Sequence, residues 1–223
     1  MDNYHYGIIG NCQSAALVSM TGSIDWLCLP TFDASAVFAR ILDEKRGGYC
    51  AVIPEGEFTT RQQYIPRTNI LSTVFQGPGW SFEVIDFMPR YIDQHGSYHT
   101  PPDVIRVLRP ISGTPRVSVD YDPRMNFGEF PTISVIKEDY LKSYSAEGAY
   151  ESIYLYSSIP LRIIEEKGAF VLEKNEFINL SYNQKIVALD SDAIDLELEL
   201  TRSYWMSWVS RTQHFPRYDQ AIQ

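Results

Sequence analysis

A mainly β chain, folded as a large antiparallel sandwich, is the class this sequence predicts, on three observations. From Tyr49 to about Leu189 the chain passes through short β-branched or aromatic runs, broken by Gly, Pro, Asn and Asp clusters every ten to fifteen residues. No helical periodicity intervenes between these runs, which points to antiparallel pairing and away from a parallel α/β sheet. The content of 15 Tyr, 11 Phe and 4 Trp suits strands, and it also suits sugar recognition, where rings stack on pyranose faces. More than ten strands exceed what one open sheet carries, so two large packed sheets are expected. No fixed-period repeat supports a propeller or a solenoid.

Taken in order, the first 30 residues read as strands. Ala15–Ser19 and Ser23–Leu29 flank Met20-Thr21-Gly22, where Gly22 supplies the positive φ of a short hairpin loop. Strict alternation in the second strand sends Ile24, Trp26 and Cys28 to one face and Asp25, Leu27 and Leu29 to the other. One helix is expected in the N-terminal half. Asp33 or Ser35 caps it, Val37, Phe38, Ile41 and Leu42 make its apolar face, and Gly47-Gly48 stops it. Strands follow at Tyr49–Ile53, Asn69–Phe75, Ser81–Phe87, Val104–Leu108, Arg116–Tyr121, Ile153–Ser157, Ala169–Leu172, Phe177–Ser181 and Ile186–Leu189, with Glu165–Gly168 as a hairpin turn.

The tail changes character. Residues 192–212 lack Gly and Pro, and Ile194, Leu198, Trp205, Trp208 and Val209 keep a helical stripe. The Leu/Glu alternation of Asp195–Leu200 also fits a strand, but Leu and Glu are better helix formers, and a helix is the reading taken. Beyond Phe215-Pro216-Arg217-Tyr218 the chain reads as the start of something else.

Composition limits the function. At 223 residues the chain is one large domain or two small ones, and its formal charge of −9 argues against nucleic acid or an anionic membrane surface as partner. A neutral ligand suits it better. Residues 1–20 carry no basic segment followed by an apolar run, and no stretch approaches the ~20 apolar residues of a membrane helix. Cys12, Cys28 and Cys50 are odd in number and form no CxxC pair, so neither zinc nor a closed disulfide framework is expected. Buried free thiols in a cytoplasmic protein are the reading. Asn179-Leu180-Ser181 matches a glycosylation sequon, but nothing else in the chain supports export.

Candidate chemistry is sparse. There is no nucleophile elbow, phosphate loop or HExxH motif, and Gly77-Pro78-Gly79 is a turn. His95 and His99 could share a metal only if folded together, and a solvated loop is the reading preferred. Asp25 and Asp33 flank Trp26 and Pro30, and an acid pair beside a ring is what glycoside hydrolysis uses. A hairpin Asp and a helix-capping Asp have structural reasons to exist, and that is the reading preferred. Asp120, Asp122 and Arg124 read as a loop ion pair or as a surface shown to a neighbouring domain. No cofactor or metal is implied.

The stretch IIGNCQSAALVSMTGSIDWLCLPTFDASAVFARILD at residues 8–43 resembles the N-terminal domain of glycoside hydrolase family 15, the glucoamylase-like and trehalase-like proteins. GGYCAVIP at 47–54, YIPRTNILSTVF at 64–75, VIDFMPR at 84–90 and VDYDPRMNFG at 119–128 are similar to its later landmarks, in the same order. TRSYWMSWVSR at 201–211 is similar to the helix that leads to the family's barrel. Gln13 stands where a basic residue is frequent, and DASA after Phe32 varies a DSP-type loop.

The resemblance implies a super-β-sandwich over residues 1–190, then a linker helix and the start of an (α/α)6 barrel over 191–223. In the family, two glutamates of that barrel cleave α-glucosidic bonds with inversion. They would lie beyond Gln223, so the chain alone is expected to be inactive. Its partners would be its own barrel and, through it, an α-glucoside, either a starch-type oligosaccharide or trehalose. Trp205, Trp208, Asp122 and Arg124 are the interdomain candidates, and Asp25, Trp26 and Asp33 the sugar-binding ones. Uncovered tryptophans would favour a weak homo-oligomer. The alternative class is a free-standing glycan-binding sandwich.

Overall fold

The computed structural model describes residues 5–183, 185, 186 and 189–211. Two antiparallel sheets face each other. The first takes β1 (Tyr6–Gly10), β2 (Ala15–Ser19), β3 (Ser23–Cys28) and β5 (Tyr49–Pro54), then β12 (Arg116–Asp122) and β16 (Ala169–Val171), with β4 (Ala36–Phe38) added beside β3. The second runs β13 (Thr132–Ile136), β14 (Leu141–Ser145), β15 (Ser152–Ser157), β17 (Glu176–Tyr182), β11 (Asp103–Ser112), β8 (Trp80–Phe87), β7 (Leu71–Gly77) and β6 (Thr59–Tyr64). A small ribbon pairs β9 (Tyr91–Ile92) with β10 (Tyr98–His99). Short helical turns, α1 (Met125–Gly128) and α2 (Leu161–Glu165), interrupt the strands, and α3 (Ser191–Ser210) closes the described chain.

The mainly β sandwich is as the sequence predicts, and so is the tight β2–β3 turn, where Gly22 has φ +75°. A Cβ there would come within 2.6 Å of the Phe75 ring, so close packing as well as backbone geometry favours glycine. The tail is helical, with the Asp190 side chain accepting from the Ala193 amide at 2.8 Å.

The helix expected over residues 33–46 does not form. Ala36, Val37 and Phe38 are buried on every side, and Leu27↔Phe38 and Cys28↔Ala36 pair them with β3. An apolar run of four cannot separate a helix turn from a buried strand, and here tertiary pairing decides. Leu42, assigned to the apolar face, is 70% exposed. The residues beyond β4 make isolated turns, with the Asp43 carboxylate accepting from the amides of Lys45 and Arg46.

Three smaller expectations also change. Glu165–Gly168 is the end of α2 and the turn after it, with Lys167 at φ +52°. Cys12 is exposed, unlike Cys28 and Cys50. The strand expected at Ile186–Leu189 lies partly outside the described residues, and Ile186 and Leu189 are not in a strand.

The main core lies between the sheets, with Ile24, Leu27, Val52 and Val119 meeting Phe75, Phe82, Val104 and Leu180. Phe75 and Phe82 stack with centroids 4.7 Å apart. A second cluster covers the outer face of the eight-stranded sheet, where Ile194 and Leu198 of α3 lie on Ile85, Phe87, Ile105, Val107 and Phe177. Strand β11 is therefore buried on both faces.

Candidate functional site

Asp25 owes its position to a bulge. Leu17 pairs with Trp26 and Val18 with Ile24, which leaves Asp25 as the extra residue of β3. The strict alternation expected for this strand therefore breaks, and Ile24 joins Leu27 and Leu29 in the main core. Asp25 is 6% exposed and lines a cavity of about 390 Å³ with Tyr6, Ser23 and Arg40. Its Oδ2 accepts from the Tyr6 hydroxyl at 2.9 Å and its Oδ1 from the Ser23 hydroxyl at 2.5 Å, with Arg40 Nη1 at 4.0 Å. Both oxygens are engaged within the protein. Asp33 lies on the exposed loop after Pro30, where the Thr31 hydroxyl donates to it at 2.7 Å and lowers its pKa. The two carboxylates share no hydrogen-bond partner.

Trp26 packs on Cys28, Ala36 and Ala39, with the Phe127 ring 6.2 Å away. Asn126 and Phe127 both hold positive φ, a conformation that costs a non-glycine residue on the order of 1–3 kcal/mol. Just before them, Arg124 grips Asp122 Oδ2 with Nε at 3.2 Å and Nη2 at 3.0 Å. Asp120 is engaged separately, by Lys167 Nζ at 2.6 Å and by the Tyr49 hydroxyl at 2.6 Å, a bond that pushes the Tyr49 pKa up to about 12.

The seam under α3 holds a second cluster of ionisable groups. Tyr91 donates to Glu197 Oε1 at 2.9 Å, and His99, stacked on Tyr91, brings Nε2 to 3.6 Å from the same oxygen. Burial raises the Glu197 pKa and pushes that of Asp103 up to about 6, the latter moderated by Ser181 and Asn179. Asp103 Oδ1 and Glu197 Oε2 are buried without hydrogen-bond partners. His99 is thus turned to Glu197, whereas His95 sits on the ribbon turn, its amide donating to Asp93. No three His, Cys, Asp or Glu side chains among the described residues gather as metal ligands.

Between the β9–β10 ribbon and α3 lies a cleft of about 450 Å³. Tyr98 on the ribbon is 61% exposed and Trp208 on the helix is 47% exposed, and both line it. Trp205, one turn before Trp208 and edge-on to it at 6.1 Å, is only 9% exposed. Arg90 forms part of the wall. Its Nη1 donates to the Asn11 carbonyl at 2.6 Å and its Nε to the Tyr204 hydroxyl at 2.9 Å, and its guanidinium stands 4.8 Å from the Tyr98 ring centre. Ser203 and Ser207 add hydroxyls one helical turn apart. A smaller groove of about 250 Å³ runs on the other side of Trp208, bounded by Ile8 and Tyr64.

Sequence reasoning singled out the two tryptophans as interdomain residues but missed Arg90, Tyr98 and Glu197, which the structure places along α3 with them. A signal existed. Tyr91-Ile92 and Tyr98-His99 frame Asp93 and Gly96, a turn in which Asp93 Oδ1 accepts from the amides of His95 and Ser97.

A family model described as trehalase-like, N-terminal, matches residues 4–187. The trehalase of Thermoplasma volcanium is 31% identical over 226 residues, which cover 98% of this chain and 35% of that protein. Trehalase 1 of Sulfolobus acidocaldarius is 30% identical over 162 residues, 73% of this chain and 26% of its own length. The trehalase of Mycolicibacterium smegmatis is 30% identical over 135 residues, 55% of this chain and 20% of its own. The chain spans about a third of the length of the first two relatives it matches.

Proposed function

We propose, because the chain belongs to the trehalase-like N-terminal family, that it is the noncatalytic β-sandwich domain of a glucoamylase- or trehalase-like glycoside hydrolase. Cleavage of α-glucosidic bonds with inversion then belongs to a following barrel, in the part of the relatives that this chain does not match. Residues 1–190 form the sandwich domain, and 191–223 carry the connecting helix and the approach to the barrel. Trp208, Trp205 and the Asp122–Arg124 pair lie at the contact with that barrel. The free thiols suit a cytoplasmic setting.

The observation that carries this reading is the state of Asp25. An inverting pair needs two carboxyl groups roughly 6.5–9.5 Å apart, with room for water between them. Asp25 has both oxygens occupied by Tyr6 and Ser23, and Asp33 lies on an exposed loop with a different partner. The carboxylates that the sequence offers for hydrolysis therefore act as acceptors within the fold.

Incubation of the 223-residue chain with trehalose, maltose or maltotetraose is expected to release no glucose above the buffer rate. Turnover that disappears in Asp25→Asn or Asp33→Asn would overturn the noncatalytic reading. The exposed rings of Tyr98 and Trp208 favour a second role for the same domain, in binding.

A further inference from the structure

We propose that the cleft between the β9–β10 ribbon and α3 is a subsite for a neutral saccharide, walled by Tyr98 and Trp208. This goes beyond a scaffold role, and where a barrel follows, the subsite lies at the margin of its contact, since Trp208 belongs to both.

Size and shape come first. About 450 Å³ lies within the range of small-ligand pockets and accommodates one or two sugar rings. Its two most exposed rings stand on different elements, Tyr98 on the ribbon and Trp208 on the helix. Neither is loose. The Arg90 guanidinium lies 4.8 Å from the Tyr98 ring centre, Tyr204 meets Tyr98 edge-on at 6.3 Å, and Trp205 braces Trp208. Rings already held in place lose little freedom when a ligand arrives.

The polar lining selects the ligand class. Ser203, Ser207 and Tyr204 bring hydroxyls that both donate and accept, which is what a polyol needs. An apolar protein segment laid here would strip water from these groups without replacing their hydrogen bonds. An anion is also disfavoured. Of the two arginines in the lining, Arg90 already spends two donors on Asn11 and Tyr204 and Arg211 Nη2 donates to the Ser207 hydroxyl at 3.4 Å, and the last turn of α3, which carries Ser207 and Trp208, is the negative end of the helix dipole. Among the described residues no carboxylate lines the cleft, so a cationic ligand lacks a counter-charge there. A neutral ring with an apolar face and peripheral hydroxyls matches the whole lining.

The test uses the 223-residue chain, calorimetry and amide chemical shifts. Trehalose and maltose are expected to give saturable shifts confined to residues 90–98 and 200–211, with a dissociation constant on the order of 1 mM. Sorbitol, which has the hydroxyls but no ring face, should leave them unmoved. Tyr98→Ala and Trp208→Ala are each expected to weaken binding about tenfold. Both side chains are largely exposed, so the fold should survive, and unchanged circular dichroism checks this. Ser203→Leu, which fills the cleft and spares both rings, should abolish the shifts. A silent or linear titration, an equal response to sorbitol, or full affinity in all three variants would overturn the proposal. So would line broadening at the cleft that grows with protein concentration and that sugar does not reverse, because the rings would then serve a second copy of the chain.

Discussion

On the inner face of the eight-stranded sheet, β11 sends Val104, Arg106 and Leu108 into the core between the sheets. On the outer face the same strand lays Ile105 and Val107 beneath α3. Both faces bury charge, but they treat it differently. Inside, the Arg106 guanidinium donates to Asp86 Oδ1 at 2.7 Å, to the Cys50 carbonyl at 2.7 Å and to the Gly22 carbonyl at 2.5 Å. Those carbonyls belong to the opposite half of the sandwich, so one side chain ties the two sheets together. Outside, Asp103 and Glu197 each keep a buried oxygen without a partner, with Ser181 and Asn179 compensating Asp103 in part and Tyr91 and His99 compensating Glu197. A guanidinium stays protonated at any working pH, whereas burial pushes the Asp103 pKa up to about 6 and raises that of Glu197. The inner face is therefore held unconditionally and the outer seam conditionally.

The largest effect expected from this contrast comes from Arg106→Met. It strands the Asp86 carboxylate at zero exposure, and removing one partner of a buried pair costs about 3–5 kcal/mol. Urea unfolding measures it. A loss below about 1 kcal/mol would place the inner pair on the same footing as the outer seam.

Next in size is the pH dependence of the seam. The folded pKa of Asp103, about 6, lies above the unfolded value near 4, so the folded form holds the proton more tightly. Stability from this group is greatest below about pH 4 and falls as pH rises through 6, by on the order of 3 kcal/mol. Glu197 shifts in the same direction, and among the described residues Arg109 with Asp195, His99, Tyr91 and Tyr156 also face the seam. Asp103→Asn is expected to flatten most of the slope, read as Trp205 fluorescence and amide protection in α3. An unchanged slope in this variant would dissolve the distinction between the two faces.

The smallest effect sharpens the comparison locally. Asp190→Ala removes the acceptor at the start of α3 and should cost about 1 kcal/mol. Amide exchange in the first turn of α3 should speed up while the Arg106 region stays protected. Equal acceleration in both regions would show that seam and core open together.

These contrasts were unequally legible in the sequence. Strands such as Val104–Leu108 and Phe177–Ser181 announce themselves because burial on both faces leaves almost continuous β-branched and aromatic runs. The Arg106–Asp86 pair left a signal that was not used. Each is a charge set between apolar neighbours, Ile85-Asp86-Phe87 and Ile105-Arg106-Val107, and such charges need partners. The polar strand β6 has no apolar period to detect, and the bulge at Asp25 depends on a register count between strands. Asp33–Lys45 misled because Val37 and Phe38 obey helical spacing locally, while their burial on all sides comes from β3 and from Tyr121, whose ring lies edge-on to Phe38. The two tryptophans of α3 were visible as a pair. Their division into one buried and one exposed ring was not, because the groove they share is walled by Ile8 and Tyr64, more than a hundred residues away in sequence.

The strand order described above also determines where one chain can add to another. A sheet ends in unpaired amides and carbonyls, and these template intermolecular pairing unless something blunts them. At the β1 edge, the Tyr64 hydroxyl accepts from the Ile8 amide at 2.8 Å and donates to the Ile8 carbonyl at 3.0 Å, filling a place a foreign strand would take. Strand β16 is three residues long, and β6 carries Arg61 among threonines and glutamines. The β13 edge, Thr-Ile-Ser-Val-Ile, has no such internal guard, and its protection consists of Glu129 on one flank and Lys137, Glu138 and Asp139 on the other. Those four charged side chains are what this margin sets against a strand from another chain, far in sequence from both tryptophans.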